Sequence, residues 1–400
     1  MRMPVLRSIC IGDLGRVVTG KTPPSAQPEL FGNLYPFITP TDMDWDVRYV
    51  EPDRFLSLSG KEYQNRLMLP AAAVCVVCIG ATIGKVCMTR CPSFTNQQIN
   101  SVVVNEKEHD PFFVYHLLTT LRDELKSNAG GAATPIINKT IFSEIKVNAP
   151  SLPVQKRIAG ILSAYDDLIE NSQRRIKILE AMARGLYREW FIHFRFPGHE
   201  NHPRVASALG EIPQGWEVKK LGDIAENFDR MRKPLSKMER SQLQGEYPYY
   251  GAAKVFDYVN DYIFDGEYLL LAEDGSVITP QRTPVLQLVK EKFWPNNHTH
   301  VLRGLPTFST HFLYLGLSEV DISPYITGAA QPKITQENMN RIPFFCGPKE
   351  LHLEFNRLVE PMILKSHILQ SQVKNLRRTR DLLLPRLLSG QINVEAAEHV

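Results

Sequence analysis

One pattern in this sequence restricts the possible folds more than any other: a heptad seam that occurs twice at a fixed separation. In the first copy, between Pro153 and Trp190, one column is Ile158, Tyr165, Ser172, Leu179 and Leu186. The other is Leu162, Ile169, Ile176, Ala183 and Trp190. Alternating steps of four and three are the a/d signature of helices that pack along their length. Roughly 38 residues at ~1.5 Å each make a rod of about 57 Å, more than one globular core requires. In the second copy the columns are Phe355, Met362, Leu369, Leu376, Leu383 and Val359, Ser366, Val373, Arg380, Leu387.

Each residue of the second copy stands 197 positions after its counterpart, and the register continues upstream. Ile137 matches Ile334, Phe142 matches Met339, and Ile145 matches Ile342. Before them, Gly131-Ala132-Ala133-Thr134-Pro135 matches Gly328-Ala329-Ala330-Gln331-Pro332. Two unrelated helices would not keep this upstream register, so the chain carries an internal duplication. Ser172, Ser366 and Arg380 depart from an ideal apolar seam and are expected to set register. Pro361, inside the second run, is expected to kink or delay that helix.

The 400 residues suggest two or three domains, with 43% hydrophobic and 22% charged residues giving an ordinary globular balance. A net charge of only +3 excludes a polycation. Contact with nucleic acid would need local patches or a partner. The N-terminal MRMPVLRSIC lacks an apolar leader core, and the run Ala71 to Ile79 is too short to span a bilayer. A soluble, reducing, cytoplasmic setting with no membrane contact is expected. Cys75, Cys78, Cys87 and Cys91 cluster, with Cys10 and Cys346 outside, unlike a disulfide framework. Zinc is disfavoured, because residues three apart on a strand face opposite sides. Buried thiols are the better reading, and no metal site is expected.

Residues 1–150 read as an α/β domain, with strands at Tyr35–Ile38, Val74–Ile79 and Ile99–Val104 and a helix over Pro111–Lys126. A spacer helix occupies 151–192. Pro197-Gly198, Pro203 and Pro213-Gln214-Gly215 predict a linker over 193–215. A second domain covers 216–347, a second spacer helix 348–390, and a tail 391–400, with Gly390 as C-cap. The second domain repeats landmarks of the first. Leu221-Gly222-Asp223-Ile224 echoes Ile11-Gly12-Asp13-Leu14, and Tyr247-Pro248-Tyr249-Tyr250-Gly251 echoes Tyr35-Pro36-Phe37-Ile38-Thr39. Pro295-Asn296-Asn297-His298 echoes Thr95-Asn96-Gln97-Gln98. Between these anchors the halves share little.

Strings that invite an enzyme do not hold up. Gly15-Arg16-Val17-Val18-Thr19-Gly20-Lys21-Thr22 fits a P-loop, but Pro23-Pro24 follows and denies the next helix its amide donors. Gly80-Ala81-Thr82-Ile83-Gly84-Lys85-Val86 lacks the hydroxyl that would hold magnesium. There is no Gly-x-Ser-x-Gly elbow and no Asn/Asp-Pro-Pro-aromatic string of an amino-methyltransferase. His193, His199, His202, His298 and His300 read as surface or capping residues. No catalytic residue is expected.

The chain as a whole resembles the specificity subunit of type I DNA restriction–modification enzymes. The resemblance rests on Gly20-Lys21-Thr22-Pro23, Tyr247-Pro248-Tyr249-Tyr250-Gly251, Gly328-Ala329-Ala330-Gln331-Pro332-Lys333-Ile334, Leu152-Pro153-x-Gln155 and Leu384-Pro385-Arg386-Leu387-Leu388-Ser389-Gly390. It implies an α/β fold class: two mixed α/β target-recognition domains separated by two long antiparallel coiled-coil helices, in a pseudo-twofold internal repeat. It implies a non-catalytic chain that binds double-stranded DNA at a bipartite, asymmetric site and docks two methyltransferase subunits. Restriction subunits can join such complexes. S-adenosylmethionine, ATP and Mg2+ belong to the partner subunits, with no cofactor in this chain. A stand-alone two-domain DNA-binding protein is the alternative. Asn and Gln suit adenine and Lys and Arg suit guanine or phosphate, so loop polars become candidate DNA contacts. These are Lys21, Thr22, Thr41, Lys85, Asn96, Gln97, Gln98 and Thr134 in the first domain. In the second they are Gly251, Arg282, Asn296, Asn297, His298, Gln331 and Lys333.

Overall fold

The computed structural model describes residues 6–130, 134–207, 209–328, 331–392 and 394. The small-residue pairs and triplets at 131–133 and 329–330, the first five residues, and most of the 391–400 tail lie outside the described residues. Two compact units are present, Met1–Ser172 with Ser371–Val400, and Gln173–Gln370. The cut crosses both long helices, so each helix serves both units.

In the first unit a four-stranded antiparallel sheet runs in the order Gly15–Thr19, Ile99–Val104, Val74–Val77, Val86–Met88. Val74–Val77 is buried throughout, because both faces of the sheet are covered. Val74 and Val76 pack with Phe113, Leu117 and Ile158. Cys75 and Val77 point the other way, among Val18, Ile38 and Met43. Cys78 joins the first cluster and Cys91 is exposed, so the four clustered thiols do not converge. The helix expected over Pro111–Lys126 is broken into Pro111–Thr119 and Arg122–Asn128. The Thr119 and Thr120 hydroxyls donate to the carbonyls of His116 and Leu117 at 2.7 Å. That back-bonding, in two β-branched residues, competes with the helical ladder at the break.

In the second unit a six-stranded sheet centres on Phe264–Ala272, paired with Leu286–Pro295 and Thr299–Gly304. The stretch expected to be a linker is part of this unit's core. Phe194, Phe196 and Ile212 are buried with Phe191 and Trp216, and Arg204–Ser207 pairs with Gly210–Pro213 in a hairpin. Burying that many aromatic rings outweighs the turn signals, and the Pro and Gly residues serve the turns of a packed segment.

The duplication is visible element by element. Short helices Lys139–Glu144 and Gln336–Asn340 are capped by Asn138 and Thr335, whose side chains accept from the amides of Ile141 and Asn338. Strands Lys146–Ala149 and Pro343–Cys346 follow, each paired with the strand that opens its half, Arg7–Cys10 and Glu217–Lys220. The long helices begin at Leu152 and Lys349, again 197 residues apart.

The first long helix spans Leu152–Tyr187 and passes into a π-turn over Arg188–Ile192. The second, Lys349–Leu388, is continuous and begins well before Pro361, which corrects the delay expected there. Pro361 and Arg357, whose carbonyl loses its partner, both lie on the exposed face, where water can satisfy that carbonyl. The left-handed Gly390 ends the helix, with Ile392 N–H donating to the Arg386 carbonyl at 3.2 Å.

In the first unit Leu387 and Leu388 pack with Ile158 and Leu162, while Arg380 meets Asp166. In the second, Phe355 meets Trp190 and Ser366 meets Glu180. The helices therefore run antiparallel within each unit. No seam residue is exposed.

Candidate nucleic-acid interface

In the first unit four loops converge beyond one end of the sheet. Strand Gly15–Thr19 passes directly into an extended segment, with Gly20 N–H donating to the Ile99 carbonyl at 3.2 Å and Lys21 N–H to the Thr95 carbonyl at 3.0 Å. The P-loop string is thus a paired strand followed by extended chain, and forms no phosphate cradle. Gly20 is required by proximity, since a Cβ there would sit 2.2 Å from the Thr95 carbonyl oxygen. Thr22 Oγ1 donates to Gln97 Oε1 at 2.8 Å. The Cys78 amide donates to the Gln98 carbonyl, and the Gly80 amide to the Pro135 carbonyl. This brings Lys21, Thr22, Gln97, Gln98 and the Thr134 loop together.

Asn96 belongs to the same turn but is buried, and its side chain is used internally. Its Oδ1 accepts from the Gln98 amide at 3.1 Å and its Nδ2 donates to Gln98 Oε1 at 2.9 Å. It shapes the turn and does not present itself as a base reader. The exposed Lys21 ammonium lies 5.7 Å from the Tyr63 ring centre. Thr41 is on the neighbouring Thr39–Trp45 loop, and Lys85 reaches that loop from the turn before strand Val86–Met88. Thr41 and Thr39 hydroxyls are 2.7 Å apart, and Lys85 Nζ donates to the Met43 carbonyl beside the Trp45 ring.

The second unit repeats this turn. Asn296 Oδ1 accepts from the His298 amide at 2.9 Å, as Asn96 does for Gln98. The Asn296 amide donates to the Tyr250 carbonyl, as the Asn96 amide does to Ile38. Asn296 is buried beside Gly251, while Asn297, His298 and Gln331 are exposed. His298 Nδ1 lies 2.7 Å from Asp274. Lys333 Nζ lies 3.1 Å from Glu273 Oε1. Arg282 stands elsewhere, 3.2 Å from Asp321 and donating to Ser323 Oγ, with its phosphate role already contested by a carboxylate.

Several residues here were not anticipated from sequence. Asp229, Arg232, Glu273 and His300 form a buried or half-buried charge cluster beneath the turn. Burial opposes ionisation of Asp229, yet hydrogen bonds from His300 and the Val301 amide hold its carboxyl below the usual range. Burial likewise opposes ionisation of Glu273, and Arg232, His300 and Lys333 outweigh it. A sequence signal existed. Extending the Gly12–Gly222 match forward aligns Thr19–Pro24 with Asp229–Pro234.

The sequence profile described as Type I restriction modification DNA specificity domain matches residues 7–181 and 213–350. The chain belongs to this specificity family. The type I restriction enzyme MjaIX specificity subunit of Methanocaldococcus jannaschii is 27% identical over 402 residues, covering 96% of this chain and 93% of that one. The HindI specificity subunit of Haemophilus influenzae is 35% identical over 178 residues, covering 42% and 38%. The crystal structure of a type I restriction-modification S subunit from M. genitalium shares the fold, with a TM-score of 0.65 at 16% identity and 96% coverage of both chains. As a member of the specificity family, the chain has DNA sequence recognition and not catalysis as its role. Among the described residues, no helix is long and apolar enough to cross a membrane.

Proposed function

We propose that this specificity chain reads a two-part, asymmetric site in double-stranded DNA, one part through each loop cluster, and docks two DNA methyltransferase subunits. The carrying observation is one turn built twice with different chemistry: Asn96-Gln97-Gln98 over a neutral support, and Asn296-Asn297-His298 over an ionic one. Exposed Lys21, Gln97, Thr134, Asn297, His298 and Gln331, with half-buried Thr22, supply donors and acceptors of the kind that read base edges and phosphates. Half-sites on one face of DNA lie roughly 34–36 Å apart, so the length of the helix pair sets the spacer.

Docking is supported by apolar side chains on the outer faces of the helices. In the first unit these are Ile161, Leu168 and Leu382; in the second, Ile178, Met182, Leu358, Leu364 and Ile368 are among them. Such residues are unusual on a solvated helix and suit partner helices. S-adenosylmethionine would enter with the methyltransferase subunits, and ATP and Mg2+ with any restriction subunit, in the cytoplasm.

The test is a map of methylated adenines in the host with and without the gene. Loss of one two-part motif is expected. Deleting one heptad from each long helix should shorten the unread spacer; an unchanged spacer would count against the ruler. A chain that binds DNA but never co-purifies with a methyltransferase would be a stand-alone DNA binder.

A further inference from the structure

The chain solves one structural problem twice with opposite chemistry. In the first unit Thr19 and Asn100 face each other on adjacent strands, and Thr19 Oγ1 donates to Asn100 Oδ1 at 2.6 Å. Cys78 lies beside them, its amide donating to the Gln98 carbonyl and its carbonyl accepting from the Ile137 amide, both at 2.8 Å. In the second unit the corresponding strands place Asp229 opposite His300, one step beyond the bond from the Phe228 amide to the Val301 carbonyl. Glu273 takes the place of Cys78, its amide donating to the His298 carbonyl at 2.9 Å and its carbonyl accepting from Ile334 at 2.8 Å.

His300 Nδ1 lies 2.5 Å from Asp229 Oδ2, and its Nε2 2.9 Å from the Ile334 carbonyl. Both partners are acceptors, so only a ring with hydrogen on both nitrogens satisfies the two contacts. Arg232 Nη1 lies 2.7 Å from Glu273 Oε2 and 2.7 Å from the Thr299 carbonyl, with the Asn297 carbonyl at 3.4 Å. Its guanidinium is therefore committed to the segment Asn297–Thr299 and does not reach outward.

We propose that Arg232, Glu273 and His300 are the positioning residues of the second recognition turn, and that the half-site read by this unit, unlike the other, is read with full base preference only while His300 holds its second proton. This rests on the two-part reading above. The charged groups facing His300 are Asp229 and Arg232 from the 229–232 turn and Glu273, 3.8 Å away, at the end of the central strand. Lys333, bridged to Thr327, reaches Glu273, and the Asp274–His298 pair lies nearby. Deprotonation would take the proton from Nε2, since the Asp229 carboxylate holds the one on Nδ1. That would leave a lone pair facing the Ile334 carbonyl 2.9 Å away and no positive ring between Asp229 and Glu273, and the turn would lose that support.

The experiment uses the full chain with its methyltransferase subunits and a library of random-sequence duplexes, selected at pH 6.5 and at pH 8.5. Wild type should enrich a two-part motif at both, with base preference in one part weakened about tenfold at the higher pH, the size of one lost base contact. R232K and E273Q should weaken that same part and spare the other. The pair D229T/H300N, which installs the neutral solution of Thr19 and Asn100, should make the weakened part insensitive to pH. H298Q, which installs the residue found at Gln98, should leave the pH effect in place. Loss of the pH effect in H298Q, its persistence in D229T/H300N, or equal damage to both parts in R232K would overturn the proposal. A wild-type complex that enriches no two-part motif would remove the functional reading itself, and this proposal with it.

Discussion

Arg380 Nη1 lies 2.8 Å from Asp166 Oδ1 inside the helix pair of the first unit, with side chains only 7% and 4% exposed. An ion pair at an a/d position is costly to bury and more costly to break. Burial pushes the Asp166 carboxyl up, and Arg380 opposes that shift. His116 Nε2 lies 3.3 Å from the other Asp166 oxygen, its pKa lowered to about 3 by burial and by the charges of Arg380 and Arg48. A neutral His116 cannot substitute for the arginine.

Arg380→Leu alone is therefore expected to destabilise the chain by about 3–5 kcal/mol, because it strands a buried carboxylate. Asp166→Leu combined with Arg380→Leu should recover most of that loss. Urea unfolding of wild type and the two variants measures the difference, and a double variant as unstable as the single one would show the pair to be net stabilising.

His352 should make stability fall in acid. It is buried against Phe191, Phe308 and Phe312, and burial alone lowers its pKa from 6.5 to about 4. The unfolded chain protonates first. The neutral form's contribution is complete above pH ~6.5 and is lost as pH falls towards ~4, up to roughly 3 kcal/mol by linkage. His352→Phe should flatten this part of the stability–pH curve, read by denaturant midpoints between pH 4 and 7. An unchanged slope would place the acid sensitivity elsewhere.

Gly20→Ala should disrupt the first recognition turn. The added Cβ would meet the Thr95 carbonyl at 2.2 Å and the Asn96 carbonyl at 2.4 Å, both backbone atoms that can yield only by moving the turn. A loss of roughly 1–3 kcal/mol is expected, with weaker DNA binding. Gly160→Ala, where nothing lies within 4 Å, is the control and should raise stability slightly. Thermal melts and DNA affinity of both variants decide the matter.

Pro361→Ala should stabilise the second long helix. It restores a donor to the Arg357 carbonyl on an exposed face, and a gain of about 1–3 kcal/mol is expected from removing an interior helical proline. A lower melting temperature would mean that the proline relieves strain not evident in the continuous helix.

Much of this architecture was legible in the chain itself. The 197-residue register survives into helix starts, N-caps and strand pairs because each depends on local composition: Asn138 and Thr335 cap, and Ile145 and Ile342 precede strands. The seam was legible because helical periodicity fixes which residues share a face. The Asn96 and Asn296 turns were found as matching strings, but their side chains proved to be structural, since burial is not a local property.

What the amino-acid order determined alone was the doubling, the paired long helices and the difference between the two sets of loops. Tertiary structure decided the rest: that Phe194 and Phe196 enter a core, that Pro361 is tolerated on a solvent face, and that Asp229, Glu273, His300 and Lys333 meet. Those four come from separate segments, and Asp229, Glu273 and His300 could be largely buried only because the fold brings opposite charges within bonding distance.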